Sequence, residues 1–187
     1  MSQRELVEQA ARGDHDAFAV LLRGSIGRLE ATAWLILRDR DLARDAVQDA
    51  FIRAWRDLPG LRDPDRFDAW LHRLAVNACL DLARRRRRRP IEVELTPMAP
   101  AITSDVSVRV AQRDELERGF VHLSAEHRAV LVLHYYVGMS MPALASTLGI
   151  PLGTAQSRLG RALIALRIAI GVDPDAGPSA MREGQTA

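Results

Sequence analysis

The sequence predicts an all-α protein made of two small helical domains joined by a flexible linker. Its 187 residues are enough for one domain or two small ones. Apolar residues recur at three- and four-residue spacing, and valine and isoleucine never alternate in a sustained way. The composition is 48% hydrophobic but only 5% aromatic, which is typical of helical rather than strand-rich proteins. Residues 90–111 contain Pro97 and Pro100 and show no sustained hydrophobic period, which predicts the linker.

Charge is distributed unevenly along the chain. The net charge is only +2, and all 26 basic residues are arginine. Basic charge is concentrated in the run 84–89 and along the last long helix, whereas acid is concentrated at 39–49 and 92–126. This pattern predicts one face that meets nucleic acid and another that meets a basic protein partner.

Capping residues predict where the first two helices begin. Ser2 and Glu5 have the spacing of a capping box, which predicts a short first helix ending near Gly13. Asp14 or Asp16 then caps a second helix. Its predicted apolar stripe comprises Phe18, Leu21, Leu22, Leu29, Ala33, Trp34 and Leu37.

Asp39 caps the third helix, which has a core face and a second, mixed face. That second face carries Asp45, Gln48, Asp49, Ile52 and Arg56. An isoleucine flanked by two acids and an amide is a plausible docking site for a basic partner, although spacing alone favours a solvated face with one stray apolar residue. The core face comprises Ala43, Ala46, Val47, Ala50, Phe51, Ala54, Trp55 and Leu58.

Residues 58–66 contain two prolines and a glycine and predict a loop before the fourth helix. The outer face of that helix carries Arg73, Asn77 and Arg84, and the helix continues into six consecutive arginines at 84–89. Six arginines exceed what complementing a helix dipole requires, so the run faces solvent or binds a polyanion. The buried stripe comprises Phe67, Trp70, Leu71, Leu74, Ala75, Ala78 and Leu82.

The second domain begins with a short helix over 114–123, followed by a helix that Ser124 caps and that runs to about Tyr136. Ser140 then caps another helix, which Gly149 ends. A second helix follows the turn at once. Its apolar stripe comprises Ala155, Leu159, Ala162, Leu163, Leu166 and Ile170, and its other face carries Gln156, Ser157, Arg158, Arg161 and Arg167.

This pair of helices over 140–167 has the form of a DNA-reading helix-turn-helix. A short helix, a glycine turn and a second helix with basic and amide side chains near its N-terminal end all fit that motif. The alternative is an ordinary αα-hairpin with a solvated arginine face, and this stretch alone leaves both open.

Other functions are disfavoured by the sequence. Cys79 is the only cysteine, so neither an intramolecular disulfide nor a CxxC metal site is possible. No phosphate-binding glycine loop or nucleophile elbow is present, and we expect no catalysis, cofactor or metal. The N-terminus lacks a signal-peptide core and the longest apolar run is too short to span a membrane, which predicts a cytoplasmic protein. The histidines have no ligand spacing; they are His15, His72, His122, His127 and His134.

Taken together, the two halves resemble the extracytoplasmic-function group of the sigma-70 family of bacterial transcription initiation factors. The resemblance is carried by motifs in family order. They are DLARDAVQDAFIRAW at 41–55, FDAWLHRLAVN at 67–77 followed by Asp81 and Arg84, residues 123–133, and GTAQSRL at 153–159.

The resemblance implies four segments and a set of partners. Residues 1–89 would be region 2, 90–111 a linker, 112–171 region 4, and 172–187 a disordered tail. The implied partners are core RNA polymerase, through its β′ clamp helices and β flap, promoter DNA and an anti-sigma factor. A stand-alone helix-turn-helix regulator remains the alternative, but it explains neither the acidic face of the third helix nor the arginine run.

The resemblance also implies which side chains contact each partner. Promoter opening needs duplex docking at the −35 element and capture of an unstacked base at the −10 element, for which the 59–66 loop and Asn77 are the natural pocket. The implied residues are Asp45, Gln48, Asp49 and Ile52 for polymerase, Thr154, Gln156, Ser157, Arg158 and Arg161 for −35 DNA, and Arg62, Arg66, Arg73, Asn77, Arg84 and Arg85 for −10 DNA.

This chain departs from the family pattern at a few positions. Gly160 and Leu163 stand where larger or basic side chains are common, Ala155 and Gln156 replace a branched-then-basic pair, and Val76 replaces an arginine. The changes reduce the surface for direct readout, so the −35 sequence cannot be inferred from the family.

Overall fold

A computed structural model describes residues 1–88 and 108–172, and every regular element in those ranges is helical. The all-α prediction is therefore confirmed. Two short 3-10 turns, Leu58–Gly60 and Pro64–Arg66, lie between the third and fourth helices. The helices are α1 Gln3–Ala11, α2 His15–Leu37, α3 Arg40–Asp57, α4 Phe67–Arg88, α5 Val108–Val121, α6 Ala125–Leu131, α7 Met141–Leu148 and α8 Leu152–Ala169.

The predicted N-caps form as the sequence indicates. The Ser2 hydroxyl accepts from the backbone N–H of Glu5, whose carboxylate accepts from the backbone N–H of Ser2, which completes the capping box. Asp14 caps α2 and Asp39 caps α3, each accepting two backbone N–H groups. Since each cap satisfies donors that the helix itself leaves unpaired, these residues fix where the helices begin.

Helices α1–α4 form an N-terminal bundle in which the packing of α3 against α4 and α2 is the most extensive. Its centre is apolar and fully buried: Leu29, Ile36, Phe67 and Leu71 have no exposed surface. Helix α4 is buried over more than the single predicted stripe, because it packs against α2, α3 and α7 together. Its additional buried residues are His72, Val76, Cys79 and Leu80.

Helices α5–α8 form a smaller C-terminal unit. Helix α6 continues directly into one turn of π-helix, Val132–Tyr136, so the predicted single helix is confirmed with a change of winding. Gly149 ends α7 with φ of 65°, a left-handed conformation that favours glycine, and α8 begins three residues later. Gly119 in α5 lies so close to Ile170 that a Cβ atom would overlap it, which allows α5 to pack tightly on α8.

Helix α5 begins earlier than the sequence predicts. It starts at Val108, so the last residues of the predicted 90–111 linker are helical. The segment between Val108 and Asp114 contains arginine, alanine and glutamine and no proline or glycine, so nothing in it opposes helix formation. The rest of the predicted linker, Arg89 at the end of the arginine run, and all but the first residue of the predicted tail lie outside the described residues.

The two units are packed against each other. Helix α6 packs on α2, α7 packs on α4, and the buried side chains of both units form one continuous hydrophobic cluster. Two polar contacts accompany this packing: Arg128 Nε donates to the carbonyl oxygen of Ile36 at 2.5 Å, and Arg38 lies 3.8 Å from Glu117. The described parts of the two domains therefore form a single compact body.

Candidate nucleic-acid and polymerase interfaces

The predicted recognition helix presents its polar residues to solvent. Ala155 and Ala162 are buried and hold α8 against the rest of the unit. On the opposite side, Gln156, Ser157 and Arg161 are exposed, whereas the predicted contact residues Thr154 and Arg158 are half-buried.

The arginines of α8 have no carboxylate partner among the described residues. Arg161 instead donates from Nε to the carbonyl oxygen of Ser157 at 3.3 Å, one turn back along its own helix. Their charge reaches a neighbouring helix: burial, followed by Arg161 and Arg158, lowers the pKa of His127 in α6. Unpaired guanidinium groups on an exposed helix are suited to phosphate or to base edges.

The predicted −10 residues surround the loop and one side of α4. Arg62, Arg73 and Arg85 are exposed, and no ion pair involves them within the described part of the chain. Arg66 and Arg84 are each paired locally, with Asp63 at 3.3 Å and with Asp81 at 3.2 Å.

Asn77 is half-buried rather than fully exposed, so the structure places it at the edge of the predicted outer face of α4. The Asn77 amide has no hydrogen-bond partner within the described part of the chain, and a half-buried amide of this kind suits a pocket better than an open surface does. One arginine of the neighbouring run is paired: Arg86 donates to Asp39, the cap of α3, at 3.0 Å.

The mixed face of α3 is exposed as the sequence suggests. Ile52 is 61% exposed, and both Asp45 and Gln48 are exposed beside it. Asp49 is different: it is half-buried and paired with Arg53 at 2.7 Å. Asp45 has no ion-pair partner in the part of the chain that the structure describes, so an exposed isoleucine beside this carboxylate and an amide gives the face an apolar centre with a negative rim.

The described residues hold no candidate metal cluster of three or more histidine, cysteine or acidic side chains. Burial raises the pKa of the Cys79 thiol to about 12, so this cysteine remains a protonated core residue at neutral pH. His72 lies in the core with Nδ1 on the carbonyl of Asp68, and His134 contacts the carbonyl of Met139. Among helices of the described residues, none is long and apolar enough to cross a membrane.

Sequence patterns do not predict two polar contacts of the molecule. One is made by Arg128, whose guanidinium also donates to the carbonyls of Val121 and Leu123. The other is the ion pair between Arg4 and Asp65. Each joins segments that are far apart in sequence, and no local periodicity or capping signal marks such partners.

Fold and site together define a class: a two-part helical protein with a helix-turn-helix, an exposed basic recognition helix and a separate acidic-apolar face. Family models sharpen this definition. The model described as "Sigma-70 region 2" matches residues 21–89, and that described as "Sigma-70, region 4" matches residues 113–166.

The chain belongs to the extracytoplasmic-function group of the sigma-70 family. It is 35% identical to the ECF RNA polymerase sigma factor SigM of Mycobacterium tuberculosis over 86% of this chain and 81% of that protein. Factors of this family bind core RNA polymerase and promoter DNA, and the chain is an alternative sigma factor that directs transcription initiation.

Solved structures show the same fold. CnrH, a sigma factor of Cupriavidus metallidurans, was determined in complex with the cytosolic domain of CnrY; it has a TM-score of 0.63 and 32% identity, over 90% of this chain and 97% of that one. The sigma factor RpoE of Bartonella quintana, in complex with the anti-sigma factor NepR, has a TM-score of 0.63 and 25% identity, over 83% and 98%.

Proposed function

We propose that the two domains divide the initiation reaction between them. The face of α3 around Ile52 binds core polymerase, α8 reads the −35 element, and residues 59–66 of the 58–66 loop, together with Asn77, capture an unstacked −10 base. The observation that carries this proposal is the presence, in one chain, of an exposed apolar-acidic face and a recognition helix whose arginines have no carboxylate partner among the described residues.

The chemistry of each face matches its proposed partner. On α8, Gln156, Ser157 and Arg161 face base edges, and Thr154 and Arg158 contact the backbone. At the loop, Arg62 and Arg66 lie on one side of the captured base, while the helix contributes Asn77 and three arginines for the phosphates. The helix arginines are Arg73, Arg84 and Arg85.

The compact arrangement has a consequence for promoter binding. Elements centred near −10 and −35 are separated by about 85 Å of straight duplex at about 3.4 Å per base pair. A globule of this many residues has a radius of gyration of about 15 Å, so it is too small to place both domains at once. The domains therefore separate when the factor engages polymerase and promoter.

The proposed partners follow from the same assignment. The factor acts in the cytoplasm, where polymerase and promoter DNA meet, and contributes no chemistry of its own. An anti-sigma factor is a further proposed partner, supported by the two neighbours that were determined in complexes with CnrY and with NepR.

The test is transcription from cloned promoters with purified core polymerase. Addition of this chain should produce run-off transcripts and permanganate-reactive −10 thymines from a specific promoter set. The chain alone should open none of them. Tight promoter binding by the isolated chain, with no dependence on core polymerase, would favour a stand-alone regulator instead.

A further inference from the structure

Helix α1 packs against both 3-10 turns of the segment between α3 and α4. Val7 and Ala10 anchor α1 in the bundle, with 2% and 3% of their surface exposed. Leu58, at the start of the segment, is buried as well. Helix α1 therefore packs against the 58–66 loop, although the two are about fifty residues apart in sequence.

The polar contact between them is made by Arg4. Its guanidinium pairs with Asp65 of the 58–66 loop and lies 4.0 Å from Glu8 on its own helix. The hydrogen bond that Arg4 donates to the carboxylate of Asp65 is the main cause of a raised pKa of Arg4, to which the charge of Asp63 also contributes. The guanidinium thus compensates carboxylates that belong to the loop.

Within the described residues, no other side-chain polar contact joins the loop to a distant element. Its remaining contacts are internal: Asp63 accepts from the backbone N–H of Asp65 at 3.1 Å and pairs with Arg66 at 3.3 Å. These bonds shape the turn but do not fix its position on the bundle. The loop is positioned by its packing against α1 and by the polar contact with Arg4.

Charge gives a second reason for the contact. The proposed −10 pocket must approach a phosphate backbone, and Asp63 and Asp65 lie only two residues apart within it. An uncompensated carboxylate would repel both its neighbour and the DNA. Arg4 neutralises Asp65 and Arg66 pairs with Asp63, so the net positive charge of the loop is left to Arg62.

We propose that Arg4 is a positioning residue for −10 recognition: by pairing with Asp65 it fixes the place and the charge of the 58–66 loop on the N-terminal bundle. This inference rests on the proposed function of that loop. Arg4 acts through Asp65 and does not itself contact the captured base.

The pair is solvent-exposed, with half of the Arg4 side chain accessible. Exposed ion pairs contribute little to global stability, so its loss should leave the fold intact. The proposal can therefore be tested with three full-length variants: Arg4→Asp, Asp65→Arg and the double exchange. Arg12→Asp is the matched control, because Arg12, the C-cap residue of the same helix, is an exposed arginine without an ion pair among the described residues.

Open complexes would be measured by permanganate reactivity with core polymerase, on duplex promoter and on a template pre-melted at −10. We expect each single variant to reduce opening about three- to tenfold and to weaken base preference at the captured position, with core affinity and unfolding unchanged. The double exchange should restore opening to within about twofold, and Arg12→Asp should behave as wild type.

A double exchange as defective as its parents, or an Arg4→Asp variant with wild-type opening and base preference, would overturn the proposal. Failure of the proposed function would look different: the wild-type chain itself would open no promoter with core polymerase, whatever residue stands at position 4.

Discussion

The arginines of the two domains have different surroundings. In the N-terminal bundle many of them are paired with carboxylates, including Arg53 with Asp49 at 2.7 Å and Arg86 with Asp39 at 3.0 Å. In α8, by contrast, Arg158, Arg161 and Arg167 have no carboxylate partner within the described residues. The N-terminal bundle thus pairs many of its arginines and leaves others, including Arg62, Arg73 and Arg85, without an ion pair among the described residues, whereas all three arginines of α8 are left available for an anion.

This difference allows one chain to attract two partners of opposite charge to separate surfaces. A guanidinium already paired with a carboxylate gains less from a phosphate, because the existing contact must first be broken. Unpaired arginines in α8 carry their full field into solvent and attract DNA over a distance set by ionic strength. The free carboxylate of Asp45, on the opposite domain, attracts a basic protein surface instead.

The largest effect is expected from reversing the charge of Asp45. Asp45→Arg should weaken core-polymerase binding by several kcal/mol, because a like charge would then face a basic partner. The fold should be unaffected, since Asp45 is exposed. Fluorescence titration of labelled factor with core polymerase measures the loss.

Asp49→Arg should also weaken binding, but it breaks the pair with Arg53 and is the less clean variant. Glu30→Arg on α2 supplies the control, since it makes the same charge change at an exposed residue outside the proposed face. Wild-type affinity in a chain that carries both the Asp45 and Asp49 substitutions would remove the docking assignment.

The packing of the two domains against each other can be tested by substituting Arg128. Arg128→Ala leaves carbonyls at the ends of α2 and α5 without their donor, which should destabilise the chain by about 2–4 kcal/mol. The free factor should also populate an expanded form. Chemical denaturation and small-angle X-ray scattering provide the two measurements, with Arg118→Ala, an exposed arginine of α5, as the control. An unchanged radius of gyration and stability would show that the contact does not hold the domains together.

Asn77→Ala tests whether the half-buried amide serves DNA or only the bundle. Loss of one polar partner of an unstacked base should cost about 1–3 kcal/mol in promoter opening, with closed-complex binding little affected. Permanganate reactivity on duplex promoter, compared with a pre-melted template, separates the two steps. An equal defect on both templates would mean that Asn77 has a structural role rather than one in melting.

The smallest effects should separate two arginines of α8. Arg161→Ala should cost about 1–3 kcal/mol and relax preference at one −35 base pair, because its guanidinium can reach a guanine edge. Arg167→Ala should weaken all promoters alike and make the salt dependence shallower, as expected for a phosphate contact. Holoenzyme binding to single-base −35 variants at two salt concentrations distinguishes them. Parallel losses on every variant for Arg161→Ala would exclude base readout by that side chain.

The sequence by itself determined the local structure of this protein. Caps such as Ser2, Asp14 and Asp39, the stop at Gly149 and the three- and four-residue apolar spacing specify helices through neighbours a few residues away. Sequence motifs also sufficed for the family, because they are short, ordered and local. The helical start at Val108 was missed, since the polar segment before it shows no period.

Only the tertiary structure decided how these elements meet. It buries a second side of α4 beneath α7, pairs Arg4 with Asp65, and brings Arg128 to the carbonyl of Ile36 across 92 positions of the chain. Periodicity shows that a residue faces a neighbour, but not which neighbour, because the same stripe of leucine and alanine can pack on many surfaces. Specific polar partners distant in sequence are chosen by the packing of the whole body.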